Sequence, residues 1–305
     1  MSLLVVGSVA LDSVETPVEG RDEVLGGSAS FFATVASLLV PVRLVAVVGE
    51  DFPVEHIEFL ARRGVDLQGL QRVAGRTFRW AGRYLPNMVD RETLDTQLNV
   101  FEHFRPTLPA SYRDSNFVFL ANIDPALQLD VLRQVERPRL VACDTMNFWL
   151  RDRHLDAVKE VLRSVDLLIL NDEEARLLSG QANLVKAVAA IRLLGVKRVI
   201  VKRGDAGAML YGDEGIFWVP AFPLENVVDP TGAGDCFAGG FMSYLARTGD
   251  LGPANLRRAM VFGSATASFA VEDFSVDRFR TLEESALLER CQAFARLVRF
   301  EEVRL

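Results

Sequence analysis

Residues 226–249 read NVVDPTGAGDCFAGGFMSYLARTG, and this stretch joins a glycine-rich turn to an apolar helix. Pro230 disfavours a helix just before the turn, and Gly232 and Gly234 allow backbone angles that residues with side chains resist. From Asp235 onward the apolar residues recur on one helical face, so a helix is predicted to begin at about Gly234. The unpaired N–H groups and the dipole of such a helix favour an anion at the turn.

Asp235 is a carboxylate at a position that favours anions. As a helix cap or a partner of the helix dipole it would be purely structural. Beside a bound phosphate it would meet like charge, unless it accepts the proton of an attacking hydroxyl while the amides neutralise a transferring phosphoryl group. The turn and the carboxylate together therefore indicate phosphotransfer.

Two other nucleotide-binding motifs do not fit the sequence. The P-loop pattern GxxxxGK[ST] is absent, and the dinucleotide pattern GxGxxG fails at the turn because its third glycine comes too late. The histidines and cysteines show no metal-ligand spacing, so structural zinc is not expected.

The composition describes an acidic chain that can bury a large core. Half of its 305 residues are hydrophobic, and 34 Lys and Arg stand against 41 Asp and Glu, with no basic run typical of nucleic-acid or membrane surfaces. Three cysteines without a CxxC pair fit a reducing compartment. The sequence shows no signal peptide and no run of about 18 apolar residues. We therefore expect a cytoplasmic protein whose partners include neither nucleic acid nor a membrane.

Short apolar runs alternate with helical patterns along most of the chain. The runs are LLVVG, VRLVAVVG, NFVFLANI, RLVACD, VDLLILN and VKRVIVKRG. Helical spacing occupies residues 28–39, 54–63, 125–135, 151–163 and 184–194. This alternation predicts an α/β fold, with a doubly wound, mostly parallel sheet and helices on both faces.

Two segments, residues 12–25 and 70–99, break this alternation. The second has period-2 stretches, FRWAGRY and TLDTQLNV, around an LPNMVD turn, so it is predicted to form a hairpin. We expect one α/β domain over residues 1–305, with a small β lid formed by these two inserted segments.

Five stretches resemble signatures of the PfkB/ribokinase family of small-molecule (carbohydrate) kinases. DPTGAGD at residues 229–235 is similar to the family's C-terminal DTxGAGD signature, and GG at residues 26–27 with the later VRLVAVVGEDFP resembles its N-terminal signature. NDEEA at residues 171–175 resembles its NxxE motif, and VKRGDAGAML at residues 201–210 resembles its nucleotide-side strand and turn. The resemblance covers most of the chain. It implies a ribokinase-like fold and an ATP-dependent kinase that phosphorylates a hydroxyl of a sugar or sugar-like molecule.

The resemblance assigns catalysis to the glycine-rich turn and magnesium to the NxxE motif. Asp235 would be the base that deprotonates the acceptor hydroxyl, and three backbone amides would form the anion hole, those of Gly232, Ala233 and Gly234. Asn171 and Glu174 would organise Mg²⁺ through water, because hard oxygen ligands suit an ion that keeps several waters. Outside this context the same two residues are typical of a helix N-cap with an acidic first turn.

The resemblance also implies binding roles for the two substrates. Acceptor binding falls to four residues: Asp12, Gly26, Gly27 and Asn147. Nucleotide binding falls to five residues: Lys202, Arg203, Gly204, Gly207 and Thr231. A cation at a strand end, such as Lys202, is as often simply exposed to solvent as it is bound to a phosphate. Asp229 could hold a monovalent cation such as K⁺, with Ser268 and Glu272 as further contributors.

The sequence departs from the family where many sugar kinases carry sugar-binding asparagines. GGSASFF places Ser28 and Ser30 in that neighbourhood, so the acceptor need not be ribose or fructose. The lid aromatics Phe78, Trp80 and Tyr84 could stack on a base or close over a sugar, although aromatics in such a hairpin more often serve packing. A nucleoside kinase of the same family and a non-catalytic sensor of a sugar or nucleotide are the alternatives. Pairing of exposed lids would give a homodimer.

Overall fold

The computed structural model describes residues 1–151, 154–299 and 301–302. Within these ranges the chain forms thirteen strands: β1 (Leu3–Val6), β2 (Ala10–Glu15), β3 (Gly20–Gly26), β4 (Val42–Gly49), β5 (Val65–Val73), β6 (Phe78–Tyr84), β7 (Arg91–Gln97), β8 (Phe117–Leu120), β9 (Leu140–Asp144), β10 (Leu167–Asn171), β11 (Arg198–Lys202), β12 (Ala208–Gly212) and β13 (Gly215–Val219). The same ranges contain nine α-helices: α1 (Ser28–Ala36), α2 (Val54–Arg62), α3 (Pro125–Leu132), α4 (Leu155–Ser164), α5 (Asp172–Ser179), α6 (Leu184–Arg192), α7 (Ala233–Thr248), α8 (Pro253–Ala270) and α9 (Glu284–Val298).

The larger of two sheets has nine strands in the order β13-β12-β11-β10-β9-β8-β1-β4-β5. The neighbours from β11 to β5 run parallel, and only β12 and β13 are added in antiparallel fashion. One face of this sheet packs against α1, α2, α7, α8 and α9, and the other packs against α3 to α6. The predicted doubly wound, mostly parallel α/β fold is confirmed.

Helix boundaries differ from the apolar spacing by a few residues. The helix predicted over residues 28–39 ends at Ala36, and the chain continues in tight turns with i→i−3 bonds. The helix predicted over residues 151–163 is α4, and residues 152 and 153 of that prediction lie outside the described residues. In the described part of the chain, no helix combines the length and the apolar character needed to span a membrane.

Four strands form the smaller sheet in the order β3-β2-β6-β7, which is the predicted β lid. Strands β6 and β7 pair as the predicted antiparallel hairpin, and β2 runs parallel to β6, so the two inserted segments lie side by side. The second segment starts later than the predicted Leu70, because β5 continues to Val73 in the larger sheet. The assignment of the whole chain to one domain stays a prediction.

Parallel strands bring their carboxyl ends to one edge of the larger sheet. Asp144 ends β9, Asn171 ends β10 and Lys202 ends β11, and these three strands are neighbours. The glycine-rich turn and the start of α7 lie at the same edge, because the Lys202 side chain reaches Gly234. A crevice at the carboxyl edge of such a sheet is where α/β proteins usually bind ligands.

Candidate active site

The glycine-rich turn leads directly into α7. Gly232 precedes the helix with φ +73°, and a side chain at this position would overlap the ring of Phe31 on α1. The Ala233 N–H donates to the carbonyl of Pro230 (3.2 Å), so this amide is engaged within the turn, and its part in an anion hole stays a prediction. Among the described residues, the N–H groups of Gly232, Gly234 and Asp235 have no hydrogen-bond acceptor. These three unpaired amides therefore make the start of the helix a candidate anion-binding position.

Lys202 places a positive charge against this anion-binding position. Its Nζ lies 3.1 Å from Oδ2 of Asp144, and a Cβ on Gly234 would be only 2.8 Å from the same nitrogen. Burial lowers the pKa of Lys202, but the carboxylates of Asp144, Glu174 and Asp235 outweigh this effect and raise it above its usual value. Lys202 therefore carries its charge at neutral pH, beside the turn.

Asp235 is a partly buried carboxylate in the first turn of α7. It accepts no hydrogen bond from any described residue, so both of its oxygens are available to a ligand. Burial raises the pKa of Asp235 to about 8, the charge of Asp144 adds to the increase, and Lys202 opposes it. Perturbed carboxyl groups of this kind are typical of catalytic acids and bases.

Asp12 faces the same crevice from β2 of the lid. Its side chain is 5% exposed, and its carboxylate lies so close to Gly26 that any side chain on Gly26 would overlap it. Burial raises the pKa of Asp12 to about 7, although a hydrogen bond from the Gly27 backbone opposes the increase. Gly26, Gly27 and Asp12 are thus in direct contact, as a shared role in acceptor binding requires.

Asn147 lies three residues after Asp144, which ends β9. Its Oδ1 is buried without a hydrogen-bond donor among the described residues, and the same holds for Oγ1 of Thr145. Buried polar atoms normally have a partner, so this pair suits a polar ligand.

Asn171 and Glu174 form a helix capping box at the start of α5. Oδ1 of Asn171 accepts a hydrogen bond from the Glu174 N–H (2.7 Å), and Oε2 of Glu174 accepts one from the Asn171 N–H (2.8 Å). The other carboxylate oxygen of Glu174, Oε1, receives no hydrogen bond from the described residues. Burial, together with Asp144, raises the pKa of Glu174 to about 7.

This donor set fits Mg²⁺ bound through water. The described residues contain no group of three or more His, Cys, Asp or Glu side chains that could hold a metal ion directly. Mg²⁺ keeps several waters and commonly uses one or two carboxylates together with substrate phosphates. Glu174 offers one unused oxygen at the sheet edge, which matches that demand.

Asp229 fastens the turn to a later segment. Its Oδ1 accepts a hydrogen bond from the Thr231 N–H (2.8 Å) and its Oδ2 accepts one from the Ser275 N–H (3.3 Å). The two residues expected to join it at a cation site are bound elsewhere, because Ser268 and Glu272 both contact Arg290, at 3.1 Å and 2.6 Å. The backbone N–H groups of Val228 and Asp229 donate to the Val271 carbonyl, so the segment that carries Glu272 still lies beside Asp229, and the cation site stays a prediction.

Close packing explains Gly207, one of the two glycines in the turn after β11. The Arg203 N–H donates to the Gly207 carbonyl (2.8 Å), and a side chain on Gly207 would overlap the Val219 carbonyl. The predicted nucleotide contact at Gly207 is therefore not needed to explain this glycine. Gly204 faces open space and Nε of Arg203 is buried without a described acceptor, so both can meet a ligand.

Two residues of this site have no motif of their own in the sequence. Asp144 is buried and pairs with Lys202 across 58 positions of the chain. Arg91, on β7 of the lid, acts on the charges of Asp12, Glu174 and Asp235. The sequence offered one indication of a role for Asp144, its position at the end of an apolar run. Arg91 lies in the polar stretch RETLDTQ, and nothing in that stretch indicates a functional role.

The buried carboxyl of Asp12 should make stability depend on pH. Its folded-state pKa, about 7, lies above the unfolded value of 3.8, so the folded state binds more protons between these values and the stability that Asp12 contributes is lost as pH rises. We expect Asp12→Asn, which cannot ionise, to gain stability relative to the wild type as pH rises from about 4 to about 7. Urea unfolding across this range measures the difference, with Asp22→Asn at an exposed lid position as the control. A constant difference between wild type and Asp12→Asn would contradict the prediction.

Comparisons with known proteins agree on one group of enzymes. The sequence model described as pfkB family carbohydrate kinase matches residues 3–280. The cytidine kinase of Thermococcus kodakarensis is 29% identical over 81% of this chain and 89% of its own length. The ATP-dependent ribose-1-phosphate kinase of Halopiger xanaduensis is 31% identical over 83% of this chain and 87% of its own length.

The fold also matches solved structures. A protein from E. coli described as ribokinase II, solved in complex with ATP and Mg²⁺, superposes with a TM-score of 0.78 over 97% of this chain and 99% of its own. The two sequences are 23% identical, so this likeness concerns the fold.

Proposed function

Because this chain belongs to the pfkB family of carbohydrate kinases, whose members are phosphotransferases acting on hydroxyl groups, we propose that it transfers the γ-phosphoryl group of ATP to a sugar or sugar-like molecule. The observation that carries the proposal is Asp235. This carboxylate has no hydrogen-bond donor among the described residues and lies beside three unpaired amides and the Lys202 ammonium. A base next to an anion-binding position is what proton abstraction coupled to phosphoryl transfer requires.

The chain's own residues divide the work of the reaction. Asp12 accepts hydrogen bonds from acceptor hydroxyls, and the absence of side chains at Gly26 and Gly27 leaves room for the acceptor beside it. Asp235 takes the proton of the attacking hydroxyl as the new O–P bond forms. The amides of Gly232, Gly234 and Asp235, with Lys202, stabilise the charge on the transferring group. Closure of the lid excludes water from this position.

The phosphoryl donor and the metal follow from the same arrangement. The E. coli neighbour was solved with ATP and Mg²⁺, and here Glu174 and Asn171 would hold Mg²⁺ through water. When bound, Mg²⁺ neutralises charge on the phosphates. Activation by K⁺ at Asp229 stays a prediction, which a comparison of rates in potassium and tetramethylammonium salts would test.

A nucleoside acceptor is the second candidate. It is favoured by the cytidine kinase of Thermococcus kodakarensis, which aligns with 81% of this chain. A non-catalytic sensor of a sugar or nucleotide is less well supported, since a sensor has no need of Asp235 at an anion-binding position.

An ATP-consumption assay over a panel of acceptors separates these functions. We expect MgATP-dependent phosphorylation of at least one acceptor among sugars, sugar phosphates, polyols and nucleosides, with mass spectrometry of the product to locate the phosphate. Preference for cytidine over free sugars would select the nucleoside alternative. Tight ligand binding without turnover on any acceptor would favour the sensor and contradict the proposed kinase.

The oligomeric state and the location are further proposals. Strands β3 and β7 form the two edges of the lid sheet, and every residue of β7 is exposed, so a second lid could cover this edge in a homodimer. Sedimentation equilibrium tests the dimer. A cytoplasmic location, expected from the cysteine usage and the sequence pattern, stays a prediction.

A further inference from the structure

Arg91 begins strand β7 of the lid and lies between two contacts that reach the active site. It is paired in register with Tyr84 of β6, and the Tyr84 hydroxyl lies 3.4 Å from Oγ1 of Thr231, immediately before the glycine-rich turn. On its other side, the Arg91 guanidinium stacks on Trp80 at 5.5 Å from the ring centroid. Trp80 is the ladder neighbour of Asp12. Arg91 is therefore linked to the glycine-rich turn through Tyr84 and to Asp12 through Trp80.

The Trp80 ring serves Arg91 as a support and is not a free stacking platform. A side chain on Gly82 would overlap the six-membered ring of Trp80, so the indole lies directly on the backbone of its own strand. The guanidinium of Arg91 packs on the same ring. A ligand that approaches from the crevice therefore meets a positive charge at this position, where a nucleobase would need an uncovered aromatic face.

Arg91 differs from the other lid arginines in its lack of an acidic partner. Arg79 pairs with Glu23 and Asp51, Arg83 pairs with Glu15, and Arg21 pairs with Glu19. Within the described parts of the chain, no carboxylate lies within 4.0 Å of the Arg91 guanidinium. Among the four arginines of the lid strands, Arg91 is therefore the one without an ion-pair partner in the described parts of the chain.

The charge of Arg91 acts on three carboxyl groups of the candidate site. Burial raises the pKa of Asp12, Glu174 and Asp235, and Arg91 opposes the increase at all three. These carboxylates belong to the acceptor side, the metal side and the base, so all three lie within electrostatic range of the guanidinium. An unpaired guanidinium that faces a ligand-binding crevice is suited to a phosphate or a carboxylate, which it can bind through two parallel hydrogen bonds.

We propose that Arg91 is an anion-binding residue that the lid brings over the space between Asp12 and Asp235, where it contacts a phosphate or carboxylate oxygen of a bound substrate. The inference rests on the proposed kinase function. Two sources can supply this anionic group, the transferring γ-phosphoryl group or an acid group on the acceptor itself. The contact adds a donor that the glycine-rich turn and Lys202 do not provide.

The test compares Arg91→Gln and Arg91→Lys with Arg83→Gln as a matched control. Arg83 lies on the same lid and forms a surface ion pair with Glu15, away from the site. Kinetics are measured with cytidine, which is neutral, and with ribose 1-phosphate and 2-dehydro-3-deoxygluconate, which are anionic. We expect Arg91→Gln to lower kcat/KM by about 100-fold on the acceptor that the wild type phosphorylates, since loss of one charge-stabilising donor has this scale of effect. Arg91→Lys should recover part of the loss, because it keeps the charge without the planar fork.

The distribution of the loss identifies the source of the anion. A fall in kcat on neutral and anionic acceptors alike assigns the contact to the transferring phosphoryl group. A rise in KM confined to anionic acceptors assigns it to the acceptor. Kinetics of Arg91→Gln that match Arg83→Gln on every acceptor overturn the inference, provided that thermal unfolding shows both variants folded. Failure of the wild type on all acceptors would instead count against the proposed function, so the two failures are distinct.

Discussion

Asp235→Asn should lower kcat by about 10³-fold while MgATP still binds with near wild-type affinity, since a positioned general base contributes about 10² to 10⁴ to the rate. Asparagine keeps the size of the side chain at the start of α7 but cannot accept the proton of the acceptor hydroxyl. The expected kcat/KM of the wild type rises with pH up to about 8, because the pKa of Asp235 lies there and the base must be deprotonated in the free enzyme. Steady-state kinetics and titration calorimetry with MgATP measure the two effects.

Asp156→Asn is the control for this substitution. Asp156 is also a carboxylate in the first turn of a helix, and its side chain is 96% exposed on α4, so its replacement removes a favourable helix-dipole contact without touching the site. Turnover by Asp156→Asn should stay at the wild-type level. Near-normal turnover by Asp235→Asn would show that another group accepts the proton, and would sink the assignment of the base.

Lys202→Met should lower turnover by about 100-fold, the scale seen when one charge-stabilising donor is removed. It should also destabilise the fold, because it leaves Asp144, whose side chain is 6% exposed, without its ion-pair partner. The Lys202 side chain is 19% exposed, so we expect a loss of about 2 kcal/mol, below the range for a fully buried pair. Steady-state kinetics and urea unfolding of the ligand-free protein measure the two losses.

A double variant separates the two roles of Lys202. Lys202→Met combined with Asp144→Asn removes both charges, so it should recover much of the stability lost in Lys202→Met while turnover stays low. Lys197→Met, which breaks an exposed pair with Asp166, is the surface control and should change neither quantity by much. Full turnover in Lys202→Met would exclude the lysine from the anion-binding position.

The sequence predicts the parts of this fold that local chemistry determines. Apolar runs such as VRLVAVVG are buried strands, and Gly232 has the positive φ that its place before a helix indicated. Strand β5 escaped prediction because it is an edge strand with mixed burial and no continuous apolar run, as its sequence VDLQGLQRV shows. At Asn171 the helix N-cap suggested by the sequence is present, and Glu174 completes the capping box. Because this structural role alone explains both residues, metal binding by them stays a prediction.

The site was harder to predict wherever it depends on contacts between distant segments. Lys202 ends β11 and Asp144 ends β9, and neither local sequence indicates that the two side chains meet. They form an ion pair because the sheet order places β11 and β9 on either side of β10. The Ala233 amide, one of three expected to form an anion hole, donates to the Pro230 carbonyl within the turn, a contact that the sequence pattern did not indicate. Arg91 has a role only because the lid sheet sets it beside Tyr84 and Trp80.

The parallel pairing of β2 with β6 has a consequence for the order in which this protein folds. The two strands are separated in the chain by β3, α1, β4, α2 and β5, so their ladder closes a long loop and is not a local hairpin. Contacts of high sequence separation form slowly, and these become probable only after β4 and β5 have joined the larger sheet. In pulse-labelled hydrogen exchange during refolding, the amides of the β2–β6 ladder should therefore gain protection after those of β1 and β4. The small sheet would then take its native structure only after the β1–β4 pair of the larger sheet had formed.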